Sequence, residues 1–129
     1  MSVKVIIRAM FIIWIMAITV LAVIPHSDDG IMVSSNLTTS GMEKHLIGYF
    51  MAALLCYYAF KRDGILFILM SGFLIFLYSV ALEIVQFFLP YRTFNMDDIA
   101  ANASGIFLFV VIWIIYFQVL KSKHTLLQD

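Results

Sequence analysis

The sequence predicts an all-α fold, a polytopic membrane protein with four transmembrane helices. Of its 129 residues, 64% are hydrophobic and the mean hydropathy is +1.02, whereas about half of a soluble domain is apolar. The apolar residues fall into four segments separated by polar residues, and only 12% of the chain is charged. A chain of this length and composition is expected to form a single membrane domain over residues 1–129.

The four segments predict helices at about 5–24, 44–60, 65–89 and 98–120. About 20 helical residues cross a hydrocarbon core of about 30 Å, and three segments meet that length. The second is short and needs Glu43, Lys44 and His45 at its end to complete a crossing. The first is expected to stay uncleaved, because no Ala-x-Ala site precedes the polar loop that follows it.

The basic residues predict the orientation of the helices. Six of the eight fall on one side of a four-helix topology, namely Lys4, Arg8, Lys61, Arg62, Lys121 and Lys123. The positive-inside rule places that side in the cytoplasm. Both termini are therefore expected to be cytoplasmic, in a protein integral to the cytoplasmic membrane, with loops 25–44 and 90–98 facing outward.

Polar residues gather at the predicted outer ends of helices two, three and four. Ionisable and amide side chains are costly in hydrocarbon and by default indicate a function. The expected ligand-binding residues are Lys44, His45, Glu83, Gln86, Arg92, Asp98 and Asn102. Among them Glu83, His45 and Asp98 are the candidates for proton chemistry, while the catalytic residues themselves stay undetermined.

Spacing predicts how helices three and four meet. Glu83 and Gln86 are three residues apart and share one helix face. Asp98, Asn102 and Gly105 likewise form one stripe on helix four, beside small residues such as Ala101. Small residues let membrane helices approach closely, so Gly105 and Ala101 are expected to face helix three. Arg92 is expected to pair with Glu83 or Asp98.

Several kinds of site are not indicated. No metal site is predicted, because His26, His45 and His124 have no clear ligand spacing. The chain contains no nucleotide-binding loop, so no cofactor is expected, and with a net charge of zero no nucleic-acid partner is expected. The single cysteine, Cys56, cannot form an internal disulfide and is interpreted as a small buried hydrophobe.

The ordered polar residues resemble the VanZ-like family of small integral membrane proteins. The resemblance rests on Pro25, Lys44-His45, Gly48-Tyr49-Phe50, Glu83-x-x-Gln86, Pro90-x-Arg92 and Asp98-x-x-x-Asn102-x-x-Gly105. It covers Lys44 to Gly105 well and the first helix only generically, and Tyr91 stands where the family often has a small residue. The resemblance implies a bacterial cell-envelope protein, in a family named after a protein linked to teicoplanin resistance, and implies no settled reaction.

Three classes of function remain open from the sequence. The first is a site at the outer leaflet that binds or transforms an envelope precursor or a lipid head group. Arg92 and Lys44 would hold the anion there, and Glu83 or His45 would handle a proton. The second is an accessory or structural membrane protein whose polar cluster only fixes helix packing. The third, a transporter or proton relay, is least favoured because the polar residues do not continue toward the cytoplasmic side.

Overall fold

A computed structural model of the chain describes residues 2–25, 41–60 and 64–126, with side chains up to residue 118. It contains four helices: α1 (Val3–Val23), α2 (Gly41–Phe60), α3 (Ile65–Phe87) and α4 (Met96–Leu126). The predicted all-α fold is therefore confirmed. Three of these helices are long and apolar enough to cross a membrane, over Val3–Val23, Ile65–Phe87 and Met96–Gln118.

The helix boundaries differ from the prediction where polar residues continue a helix. α2 begins at Gly41, so Glu43, Lys44 and His45 are helical and the helix reaches 20 residues. Glu43 lies in its first turn, where a carboxylate favours the positive end of the helix dipole. α4 continues past the apolar run to Leu126. α3 ends at Phe87, because a residue that precedes proline, here Leu89, disfavours helical backbone.

The cytoplasmic orientation of the termini stays a prediction. It depends partly on residues 61–63 and on the side chains of Lys121 and Lys123, which lie outside the described residues. Loop residues 26–40, which include His26, and the side chain of His124 also lie outside the described residues. The end of the bundle where α1 and α3 end and α2 and α4 begin is called the polar end.

α2 is the central helix and packs against α1, α3 and α4. The core combines aromatic and small residues of α2 with side chains of α3 and α4, namely Tyr49, Ala52, Ala53, Tyr57, Ile68, Ile75, Ile106 and Phe109. α1 buries none of its residues completely. It lies on the outside of the bundle, mainly on α2 and less on α3.

The closest approach of α4 is to α2, so the expectation that Gly105 faces α3 was wrong. A Cβ atom built on Gly105 would lie 3.0 Å from the carbonyl carbon of Leu46 and from the nitrogen of Phe50, and closer still to the Leu46 oxygen. The α3–α4 contact instead uses Gly72, whose Cβ would lie 3.2 Å from Ile106 Cγ2. Gly105 does allow a close approach of two helices, as expected for a small residue in a membrane. A stripe of small residues on one helix, however, does not identify which neighbouring helix packs against it.

Candidate functional site

The polar residues meet at the polar end because three helices bring them there. His45 lies in the first turns of α2, Glu83 and Gln86 in the last turns of α3, and Asp98 and Asn102 in the first turns of α4. Because α2 and α4 begin at this end and the antiparallel α3 ends there, these residues lie at one depth. Glu83, Gln86 and Asn102 are buried, with 2%, 6% and 1% of their surface exposed. Asp98 is less buried than Glu83.

His45 connects α2 to α4 through both ring nitrogens. Its Nδ1 lies 3.0 Å from Oδ1 of Asn102, within hydrogen-bond distance. Its Nε2 lies 3.7 Å from Oδ2 of Asp98, and the two side chains are 30% and 21% exposed. No other basic and acidic side chains approach within 4.0 Å of each other among the residues that the structure describes. The ring is thus held from one side by an amide and faces a carboxylate on the other.

Glu83 brings a second carboxylate to the same place. A ring nitrogen of His45 and one carboxylate oxygen from each of Glu83 and Asp98 lie within 4.8 Å of one another. The Oε2 atom of Glu83 is buried and has no hydrogen-bond partner within the described part of the chain. A buried carboxylate oxygen without a donor is unfavourable, so this atom is available to a ligand.

Arg92 does not pair with Glu83 or Asp98, contrary to the expectation. Its Nη2 donates instead to the carbonyl oxygens of Leu21 and Ile24, at the end of α1. Those carbonyls have no partners inside their own helix, so a guanidinium satisfies them well. The Nε atom of Arg92 is buried and has no acceptor among the residues described.

Two neighbouring side chains hold α1 in the same way. Gln86 Nε2 donates to the carbonyl of Ala22 at 3.0 Å, and the hydroxyl of Tyr91 donates to the carbonyl of Val23 at 3.1 Å. Together with Arg92 they attach the end of α1 to α3 and its following loop. Part of the predicted cluster therefore serves helix attachment, while His45, Glu83, Asp98 and Asn102 form a separate group, called the acid–imidazole group below.

A cavity of about 570 Å³ lies between α1, α2 and α3 and reaches the acid–imidazole group. Lys44, His45, Glu83, Gln86 and Arg92 line its polar end. Most of the remaining wall is apolar and includes Ala17, Ile18, Leu21, Ile47 and Leu82. Asp98 and Asn102 do not line it. An apolar cavity with a few polar groups at one end has the character of a ligand site.

Two aromatic residues of the cavity wall were not recognised as site residues from the sequence. Trp14 lines the cavity, and its Nε1 donates to the carbonyl of Gly48 at 3.0 Å. Tyr49 also lines it and is only 4% exposed. Packing and interface contacts are the usual role of such aromatic residues in membrane helices, so their presence alone does not indicate a site. Only the position of Tyr49 next to Gly48, within the motif Gly48-Tyr49-Phe50, pointed to the site.

Comparison with protein families decides the relationship that the sequence suggested. The model of the VanZ/LLP1 family matches residues 10–117, which is most of the chain. The chain belongs to the VanZ/LLP1 family. The match includes the whole of α2 and α3, parts of α1 and α4, and every residue of the acid–imidazole group. Comparison with curated proteins and with solved structures gave no significant match.

Membership of the VanZ/LLP1 family supports, at the level of the family, an envelope-associated protein with a link to glycopeptide resistance. Together with three helices that can cross a membrane, it indicates a membrane protein. Neither the ligand nor a reaction follows from membership, so both depend on the cavity and the side chains around it.

Proposed function

We propose that this VanZ/LLP1 protein binds an amphiphile with an anionic, phosphate-type head group at its polar end, in the cytoplasmic membrane. The ligand is either a membrane phospholipid or a lipid-linked envelope precursor, since both combine a hydrocarbon chain with phosphate. In this proposal the polar end faces outward, as the basic residues predict. The hydrocarbon would lie along α1 and the head group beside Lys44 and Arg92.

The observation that carries this proposal is the chemistry of the cavity. Its volume of about 570 Å³ is in the range of pockets that hold small molecules. Its walls suit a hydrocarbon chain, and two cationic side chains lie at one end. Arg92 Nε is a buried donor with no acceptor among the described residues, so an anionic oxygen would satisfy it.

The test compares lipids retained by the purified protein. Wild-type protein in detergent micelles is mixed with phosphatidylglycerol, phosphatidylethanolamine and a polyprenyl diphosphate, and bound lipid is measured by native mass spectrometry. We expect the wild type to retain an anionic lipid over phosphatidylethanolamine. Preferential retention of phosphatidylglycerol would indicate a membrane phospholipid as the ligand, and preferential retention of the polyprenyl diphosphate would indicate a lipid-linked envelope precursor.

The variant Lys44→Gln removes a charge from the cavity, and Lys4→Gln removes one from an exposed position of α1. Lys44→Gln should weaken the anionic preference by about 1.4- to fivefold, because an exposed ion pair contributes about 0.2–1 kcal/mol. Lys4→Gln should leave it unchanged. Equal retention of all three lipids by the wild type, or equal effects of the two variants, would contradict the proposal.

A structural role is the second candidate, and a specific observation favours it for some residues. Gln86, Tyr91 and Arg92 all donate to carbonyl oxygens at the end of α1. Those side chains act in helix packing whether or not a ligand binds. The same explanation does not extend to Glu83, whose Oε2 contacts no donor among the residues described.

A further inference from the structure

We propose that His45, Glu83 and Asp98 bind a divalent transition-metal ion at the polar end of the bundle. The three side chains come from three different helices, α2, α3 and α4. A ring nitrogen of His45 and one oxygen from each carboxylate lie within 4.8 Å of one another. The sequence did not indicate a metal site, because ligands from three helices leave no short spacing motif.

The distances suit an ion between the side chains better than direct contacts. Nε2 of His45 is 3.7 Å from Oδ2 of Asp98, which is too far for a direct N–H···O hydrogen bond. Two ligands of one tetrahedral ion, each about 2.1 Å from the metal, lie about 3.4 Å apart. An adjustment of the side chains that brings the three ligand atoms closer together would therefore allow all three to bind one ion.

Glu83 has no cationic side chain within salt-bridge distance among the residues that the structure describes, and a metal ion would supply that positive charge. Glu83 is only 2% exposed, and its Oε2 is buried without a hydrogen-bond partner in the described part of the chain. Asp98 brings a second carboxylate, and the nearest guanidinium, that of Arg92, directs its Nη2 to α1. Buried carboxylates are costly unless they are paired or bound to a metal.

The orientation of His45 fits a metal ligand. With its Nδ1–H donated to Oδ1 of Asn102 at 3.0 Å, the imidazole carries its lone pair on Nε2, which faces Asp98. Ligand histidines commonly donate their second nitrogen to a carbonyl or carboxylate, which fixes tautomer and ring direction. Asn102 is 1% exposed, so this acceptor is held firmly by the packing of α4.

One imidazole with two carboxylates selects a class of ion. Imidazole suits Zn²⁺ and other first-row transition ions, whereas Mg²⁺ and Ca²⁺ prefer oxygen ligands alone. Three protein ligands leave a coordination position open, as in catalytic zinc sites. His45 and Glu83 line the cavity, so that position would face it. Metal binding itself does not depend on the head-group proposal, although an open position there would accept a phosphate oxygen if that proposal holds.

The test is metal stoichiometry of the full chain after its purification tag has been removed. Protein in detergent micelles is stripped with a chelator, incubated with Zn²⁺ or Mg²⁺, desalted and analysed for metal. We expect about one Zn²⁺ per chain, because three side chains form one first shell, and no retained Mg²⁺. Co²⁺ gives a second readout, since its visible absorption reports a nitrogen- and oxygen-liganded site.

Two ligand variants and one matched control separate this site from other metal binding. His45→Gln and Glu83→Gln should each lower zinc affinity at least tenfold and abolish the Co²⁺ absorption. Glu43→Gln alters an exposed acid in the first turn of α2 and should retain both. His45 is partly exposed, so its variant stays informative if Glu83→Gln reduces the yield of folded protein.

Two outcomes would overturn the metal site: a wild type that retains no stoichiometric Zn²⁺, or ligand variants that retain as much as Glu43→Gln. Lys44→Gln distinguishes this proposal from the head-group proposal. It should bind Zn²⁺ like the wild type even where it loses its preference for anionic lipid. A wild type that prefers anionic lipid but binds no zinc contradicts only the metal site. A wild type that binds zinc but shows no preference for anionic lipid contradicts only the head-group proposal.

Discussion

The Nδ1 atom of His45 lies 3.0 Å from the Oδ1 atom of Asn102, across the interface between α2 and α4. The partner amide is almost fully buried, while the imidazole is 30% exposed. The more deeply buried member of the pair is therefore on α4. Asn102 orients His45, which makes it a positioning residue.

The first prediction concerns Asn102. Asn102→Ala should lower zinc affinity by roughly 10–100-fold, as is typical for loss of an outer-shell partner, without changing the stoichiometry. Asn102→Asp offers an acceptor to the same N–H and should restore most of the affinity. Ser104→Ala is the control, because that exposed hydroxyl donates to the carbonyl of Ala100 in its own helix. Metal titration of the purified variants provides the measurement, and an unchanged affinity in Asn102→Ala would disprove the positioning role.

The second prediction concerns the contact between α2 and α4. Gly105→Ala places a methyl group against the backbone of Leu46, which cannot move aside as a flexible side chain can. It should destabilise the protein by about 1–3 kcal/mol, as overpacking does, and Gly105→Leu should abolish accumulation. Gly48→Ala is the control, because no atom lies within 4 Å of its added Cβ. Thermal unfolding in detergent and membrane abundance report the effect; equal stability of both alanine variants contradicts the contact.

The third prediction separates a site from a scaffold. Glu83→Gln is nearly isosteric and removes mainly charge and proton chemistry. Since Oε2 of Glu83 has no donor among the described residues, this variant should accumulate normally. If the site works, it should lose the contribution of the protein to teicoplanin susceptibility of the host. Gln86→Leu should instead lower abundance, because it removes the bond to Ala22.

The measurement for this third prediction is membrane abundance together with teicoplanin susceptibility, with Glu43→Gln as the charge-matched control. A normal phenotype of Glu83→Gln at normal abundance would rule out a functional carboxylate at this position. A parallel loss of abundance in Glu83→Gln and Gln86→Leu would instead assign both residues to helix packing.

The fourth prediction is the orientation of the helices. Because six of eight basic residues fall on one predicted side, both termini should be cytoplasmic. A fluorescent reporter that matures only in the cytoplasm should be bright at the C-terminus, and alkaline phosphatase inserted within residues 26–40 should be active. An active phosphatase at the C-terminus would reverse the orientation and move the polar end to the cytoplasmic side.

The amino-acid sequence by itself determined the helices and the depth of the polar residues. The apolar segments around residues 5–24 and 65–89 are long enough to form helices in a membrane whatever their neighbours, because lipid leaves backbone groups no other partners. The turn at Pro90 then places Glu83 and Asp98 at the same end. These are properties of single segments and of their order along the chain, so sequence patterns are enough to predict them.

Only the tertiary structure decided which faces meet. Gly105 contacts α2 and not α3, and Arg92 donates to α1 and not to Glu83. The approach of His45 to both carboxylates likewise depends on how three helices are rotated about their axes. Helix rotation in a membrane is set by side-chain packing and hydrogen bonds between helices, because a uniformly apolar surface gives no preferred face. The sequence therefore determined the depth of each side chain, and packing determined its partner.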